Sequence, residues 1–346
     1  MDKKKLITSL VFIIIVGAVI ISLTVFKKSY AVGTTLVDTV KALNKGSSWS
    51  VGDSGVYYTN SHEYRYIGSE VNNYVKFNND MYRIIGVFDS NSHGVSNTEL
   101  VKLIRTRSLG GYSWGVYNKS NTSDTYSDYA NDWTGKSTTS PANLNVLLNE
   151  YFYNKNDTSS SYGDCANWTY YYSNNSYKTK DCSNIITYGI DSSLRGYIET
   201  TTWYLYGSGT DQSKQDWYLC ERGGNSCTSS GPSTGDTSVT SKIGLMYLSD
   251  YLYASGYYTS TDTATQGEFY FGNKNWLYKG YEWLLTPYAS NTYSGWSVNA
   301  GYVVKISSYY SLVYRPTFYL KPDVYVTGGD GSFDNPYTIA CDNCTE

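Results

Sequence analysis

The chain has 346 residues, a net charge of −3 and only 16% charged residues, against about 25% in an average globular protein. A protein that tracks a phosphate backbone needs a clustered surplus of Lys and Arg, so this balance argues against nucleic acid as a partner. The 40% hydrophobic share counts 40 tyrosines, and without them about 28% remains. Tyrosine must therefore serve both core and surface, and 17% aromatic residues is too many for a disordered chain.

Lys3, Lys4 and Lys5 precede residues 6–26, LITSLVFIIIVGAVIISLTVF, which carry no charge. As a helix rising 1.5 Å per residue this run is roughly 30 Å long, the thickness of a bilayer core. Lys27 and Lys28 close it. The lysines and the α-amino group before the run outnumber those after it. That asymmetry predicts a single-pass protein of the cell membrane with its C-terminal domain outside. A cleaved signal peptide is the rival, because Ser29-Tyr30-Ala31 offers small residues where a signal peptidase reads. Its apolar region would span about 7–15 residues, so the uncleaved anchor is favoured. The expected division is a cytoplasmic stub and anchor over 1–30, a short helix and linker over 31–55, and an extracellular domain over 56–340. A polar insertion is expected around 107–240.

After the anchor, Leu36, Val37, Val40 and Leu43 recur at helical spacing, as a stalk or as the first helix of the domain. Residues 44–55, rich in Ser and Gly, read as a linker. Strands are expected around Tyr64 and Tyr66, over 73–77, over 81–88 after the turn Asn78-Asn79-Asp80, and over 100–105. Ser140-Pro141 offers an N-cap and an N1 proline for a helix to about Tyr151, with Leu144, Leu147, Leu148 and Phe152 on one face. Residues 194–206 read as a strand, Ile243 to Tyr251 are strongly apolar, and Asn275-Trp-Leu-Tyr278 leads into the final β-rich part.

Six cysteines occur in the order Cys165 and Cys182, Cys220 and Cys227, Cys341 and Cys344. Outside the cell an even number suggests disulfides, and sequential pairing is the simplest of the 15 arrangements that six cysteines allow. Cys341-Asp-Asn-Cys344 has C-x-x-C spacing, but no helix follows to lower a thiol pKa and no second C-x-x-C completes a zinc site. The two histidines, His62 and His93, fall in polar, turn-like contexts that suggest exposure. No nucleophile–base arrangement, P-loop or dinucleotide fingerprint is visible. Glu268 and Glu282 are a conceivable carboxylate pair for glycoside cleavage, although Glu282 beside Trp283 reads better as the anchor of a buried hydrogen-bond network. Asp330, Asp334 and Asn335 lack the order of a calcium loop. No metal, cofactor or catalytic residue is assigned.

Several segments carry a family resemblance. Tyr74-Val-Lys-Phe77, Met81 to Phe88, Lys242 to Tyr251, Glu282-Trp-Leu-Leu-Thr-Pro287, Arg315-Pro-Thr-Phe-Tyr-Leu320 and Gly329-Asp-Gly-Ser with Asn335-Pro-Tyr337 resemble an uncharacterised family of Firmicutes surface proteins. The stretch from Trp283 to Leu320 is also similar to the C-terminal part of C-type-lectin-like domains, the fold that formylglycine-generating oxidases share. The resemblance covers about residues 60–340 and implies an α+β, C-type-lectin-like domain rich in antiparallel strands and long loops. It departs from the family pattern at Thr286, where Ser is common, and at Leu285, where a basic residue is usual. It implies no activity, and fold alone assigns none. The expected function is a membrane-anchored extracellular binding or adhesion module for a glycan or protein. The alternative is a cell-envelope hydrolase or oxidase. The candidate ligand-binding residues are Tyr293, Trp296, Asn299, Tyr302, Tyr309, Tyr310 and Tyr314, offering stacking faces and hydrogen bonds, with cross-strand packing as their competing role.

Overall fold

In the computed structural model, residues 33–115, 131–135, 141–155, 169–173, 176–179, 183–224, 235–257 and 274–346 are described. The expected span at 6–26 lies outside them, as do Cys165, Cys182 and Cys227. Among the described residues no helix is long and apolar enough to cross a membrane. The fold is α+β, rich in strands and with short helices.

The first helix, Leu36–Ala42, starts where the Thr35 hydroxyl accepts the Asp38 amide at 3.0 Å, with Asp38 favourably placed near the positive helix end. Leu36 and Val40 are buried, and the Leu36 amide donates to Val324 at 2.8 Å. The helix is therefore the first element of the domain rather than a stalk, and the expected boundary at residue 56 moves forward to it. Residues 44–55 are pinned too: the Lys45 amide donates to Val56 at 2.9 Å, and buried Trp49 packs on Tyr57 at 5.5 Å.

The first sheet begins with β1 (Gly55–Tyr58), β2 (Tyr64–Ile67), β3 (Tyr74–Phe77), β4 (Asp80–Phe88) and β5 (Leu100–Arg105). Asn78 and Asn79 both adopt positive φ, as the two-residue turn of the β3–β4 hairpin requires. Strand β4 is the centre: β5 lies along one edge, while β3 and then β2 share the other. Between those two partners the β4–β5 register shifts at Ile84/Gly86. A side chain at Gly86 would collide with the Tyr64 carbonyl oxygen, so only glycine allows β2 to approach there.

Strand β6 (Gly111–Ser113) leaves for a second sheet. Strands β7 (Thr169–Ser173) and β8 (Ser176–Thr179) form a hairpin, and β9 (Thr201–Tyr204) pairs with β10 (Ser238–Ser241). The second sheet is completed by β11 (Glu282–Pro287), β12 (Ser294–Asn299), β13 (Tyr302–Ser307) and β14 (Ser311–Val313), in the order β13-β12-β11-β14-β6. The chain then returns to the first sheet as β15 (Thr317–Tyr319), β16 (Tyr325–Gly328) and β17 (Tyr337–Ala340). Arg315 marks the crossing. It is buried and holds both Glu282 carboxylate oxygens at 2.7 Å, the buried network expected of Glu282.

Three local expectations change. The helix near 141–151 is an α-turn, Asn143–Val146, running into a π-turn, Leu147–Phe152; its cap position is Ala142, with no side-chain cap bond. Its face is as expected, with Leu144, Leu147, Leu148 and Phe152 fully buried. The strand expected over 194–206 shrinks to β9, because Ser192–Arg195 closes a helical turn. The region 107–240 is not merely appended loop: its described parts place Trp114, Trp133, Trp203 and Trp217 in the core.

Candidate functional site

The described chain forms a cleft of about 450 Å³ from three distant segments. Ser69 to Tyr74 supplies one wall, Asn275 to Lys279 the other, and Phe333, in the turn between β16 and β17, stands at the mouth. Each is held for a local reason. The Trp276 indole donates to Tyr66 at 2.7 Å and its amide to Gly68 at 3.1 Å, fastening the second wall to the end of β2. The Gly331 carbonyl accepts the Tyr74 amide at 2.8 Å, which brings the last turn over β3.

Arg83 reaches the cleft from β4. It is the cross-strand partner of Tyr74, so the two side chains share one sheet face. The guanidinium lies 4.4 Å from the Tyr74 ring and 4.4 Å from the Trp276 ring, a double cation–π contact. It is only 5% exposed. Nε donates to Asn73 Oδ1 at 2.6 Å, and the two terminal nitrogens donate to the carbonyls of Trp276 and Val71, each at 3.2 Å. Among the described residues, therefore, its partners are one amide and two carbonyl oxygens rather than a carboxylate. Burial pulls its pKa down to about 10, with Tyr74 and, more weakly, Glu70 opposing and Arg315 adding to the fall, so it stays charged at neutral pH. On the rim, partial burial and then the guanidiniums of Arg315 and Arg83 lower the Lys279 ammonium. Glu70 is the one carboxylate among the lining residues.

A second group of charges is wholly internal. Arg65 donates from Nε to Glu63 at 2.9 Å and from a terminal nitrogen to Asp250 at 2.9 Å. Lys102 reaches the other Asp250 oxygen at 2.6 Å, with its ammonium 4.5–5.4 Å from the ring centres of Phe88, Trp203, Tyr247 and Tyr319. Ser92 bridges Glu63 to Arg222 Nε, the latter at 3.1 Å. Glu221 accepts from Ser249 at 2.5 Å and Thr286 at 2.6 Å. Burial lowers Lys102 to about 8 against the pull of Asp250. At Asp250 burial pushes the other way, yet Lys102 and Arg65 together hold the carboxyl at about 2. Burial raises the Glu221 carboxyl. Beside this cluster a recess of about 300 Å³ is lined by His62, Tyr218 and Arg222 among others.

The seven residues proposed from the sequence are not brought together. Trp296 is 2% exposed; its indole donates to Ser208 at 3.2 Å, and it meets Trp217 and Tyr288 edge-on at 5.2 and 5.5 Å. Tyr314 is 1% exposed, and Tyr309 is buried while stacking on Tyr310 at 4.3 Å. As stacking faces for a ligand, Trp296 and Tyr314 are therefore overturned. Strand β12 is sandwiched between β13 and β11 and buried on both faces from Ser294 to Val298, so alternation there does not mark an outward side. Of the remainder, exposed Tyr293 and Tyr310 lie at one end of the β12–β13 hairpin, and half-buried Asn299 and exposed Tyr302 at the other. The five steps of β12 from Ser294 to Asn299, roughly 17 Å at 3.4 Å each, lie between the two ends.

His93 is also corrected: it is fully buried, with Nε2 3.1 Å from the Phe88 carbonyl oxygen, and burial lowers its pKa. His62 is exposed. Cys341 and Cys344 form a disulfide, and Cys220 is disulfide-bonded as well. Asp330 accepts from the Ser332 amide at 2.9 Å in a self-contained turn. Among the described residues no group of three or more His, Cys, Asp or Glu is placed to hold a metal ion.

Sequence reasoning missed Arg83, Arg65 and Lys102 because each sits in a strand whose pattern already explained it. The available signal was a lone charge inside an apolar run, Met-Tyr-Arg-Ile-Ile and Leu-Val-Lys-Leu-Ile, since a buried charge must find partners. Comparison of the chain with family models, curated proteins and solved structures found no match.

Proposed function

We propose that this chain is a membrane-anchored, extracellular binding module with a C-type-lectin-like α+β fold, related to the Firmicutes surface proteins its motifs resemble. Its ligand docks in the Arg83–Trp276 cleft. The observation that carries this reading is a guanidinium almost removed from water, 4.4 Å from each of two rings and hydrogen-bonded to one amide and two carbonyl oxygens rather than to a carboxylate. A charge buried for stability alone is ordinarily neutralised, whereas one kept open at the floor of a cleft is available to a ligand. The Cys341–Cys344 disulfide fits an oxidising compartment outside the cell, and the lysine-flanked run over 6–26 supplies the anchor. The exposed Tyr293–Tyr310 end of the β12–β13 hairpin is a second contact surface.

The test is capture of the full-length chain on an array of glycans and peptides, repeated with Arg83→Met and with Tyr310→Ala. Loss of capture in Arg83→Met at a temperature where that variant is still fully folded supports the cleft. Undiminished capture in that variant removes the cleft as the site, and turnover of an arrayed wall polymer would show that binding is not the whole activity.

A further inference from the structure

We infer that the group taken by this cleft is the carboxylate of an acidic sugar, a step that rests on the cleft being the binding site. Arginine carries five N–H donors, and three are committed, to Asn73, Trp276 and Val71. One N–H on each terminal nitrogen therefore remains. The Tyr74 and Trp276 rings each lie 4.4 Å from the guanidinium carbon, and the two remaining N–H groups lie in the plane of the fork, where a partner would meet them. An edge-on guanidinium pairs with the two oxygens of a planar carboxylate. Lys279 places a second cation on the rim.

The walls favour a sugar as the carrier of that carboxylate. Phe333 is 66% exposed yet held edge-on against Tyr74 at 5.4 Å, so its ring is a fixed apolar face. Tyr278 adds another ring, and Ser69 and Asn72 are polar groups on the same lining. Rings for the C–H face of a pyranose, polar side chains and the Glu70 carboxylate for its hydroxyls, and a cationic floor at Arg83 form one set. A volume of about 450 Å³ lies in the range of small-ligand sites and is unlike the broad surface of a protein interface. A neutral sugar would cover Arg83 while leaving its open donors unpaired, which costs affinity; selectivity for acid follows from that penalty.

The experiment is calorimetric titration of the full-length chain with digalacturonate, sialyllactose, the neutral disaccharide lactose, and glycerol phosphate. At least one of the two acidic sugars is expected to bind about tenfold or more tightly than lactose, and to weaken at about 0.5 M salt, where screening is strong. Arg83→Met should cost about tenfold or more and Lys279→Gln a few-fold, as loss of a buried and of a rim charge respectively. Arg83→Lys keeps the charge but not the fork, and should fall between wild type and Arg83→Met. All variants are compared at a temperature below the unfolding transition of each. Equal binding of acidic and neutral sugars, both lost in Arg83→Met, overturns the carboxylate but leaves the cleft. Tighter binding of glycerol phosphate than of either acidic sugar overturns the carboxylate in favour of phosphate. Acidic-sugar binding that ignores Arg83→Met overturns both the inference and the cleft. Failure of both acidic sugars to bind overturns the inference, and an array ligand lost in Arg83→Met would then keep the cleft reading alive.

Discussion

Two of the regions that bury cations in this molecule do so differently. Around Asp250 each buried cation has a carboxylate within reach: Arg65 has Glu63 and Asp250, Lys102 has Asp250, and Arg222 has Glu221 at 3.5 Å. At the cleft, Arg83 is surrounded by rings, an amide and carbonyls. The first arrangement pairs each of its cations with a carboxylate inside the cluster. The second hydrogen-bonds only to neutral acceptors, keeps one N–H free on each terminal nitrogen, and borders a cavity whose one lining carboxylate is Glu70. Burial of charge alone is thus a poor guide to function in this fold; whether the charge is paired directly with a carboxylate separates scaffold from site.

The largest expected effect tests the closed region. Asp250→Ala leaves Lys102 and Arg65 buried with one partner fewer, and should destabilise by about 3–5 kcal/mol, as breaking a buried ion pair does. Denaturant unfolding measures it, and a loss below about 1 kcal/mol would mean that the cluster is hydrated rather than closed. Trp296→Ala should cost a similar amount, about 3–5 kcal/mol, because a buried indole leaves a cavity. Tyr310→Ala, at 44% exposure, should stay within about 0.5 kcal/mol. Equal effects in these two variants would contradict the division of the aromatic segment into core and surface.

An acid titration gives a mid-sized effect. The Asp250 carboxyl sits at about 2 in the folded chain, below its ordinary 3.8, so the unfolded chain binds its proton first as pH falls. Its contribution is complete above about pH 4 and lost as pH drops through 2, an effect of about 2 kcal/mol. The loss should vanish in Asp250→Asn. Arg83→Met is expected to be smaller, about 1–2 kcal/mol, because cleft water can replace the donor at each orphaned acceptor. A cost as large as that of Asp250→Ala would erase the distinction between the two regions and make Arg83 scaffold.

Much of the first sheet was legible in the sequence. The alternating runs that become β2 to β5, and the Asn78-Asn79 turn between two of them, follow from local pattern and from the tolerance of Asn for positive φ. The first helix was legible from its apolar spacing, but not its docking, which depends on Val324 and Tyr325 almost 290 residues later. The second sheet was legible as strands and illegible as faces. In β11 and β12 nearly every residue is buried, so hydrophobic alternation carries no direction.

The sequence by itself determined the strand-rich character, the local turns, and the Glu282 and Arg315 segments as framework, because these depend on short-range propensity and on residue types that need partners. Only the tertiary structure decided which aromatics face water, that Lys102 finds a buried partner in Asp250, and that Ser69–Tyr74, Asn275–Lys279 and Phe333 close around Arg83. A cleft assembled from segments 60 to 260 residues apart leaves no periodic trace in the chain. Its chemistry exists only once strand pairing has set Tyr74 beside Arg83 and a distant indole has come within 4.4 Å of the guanidinium.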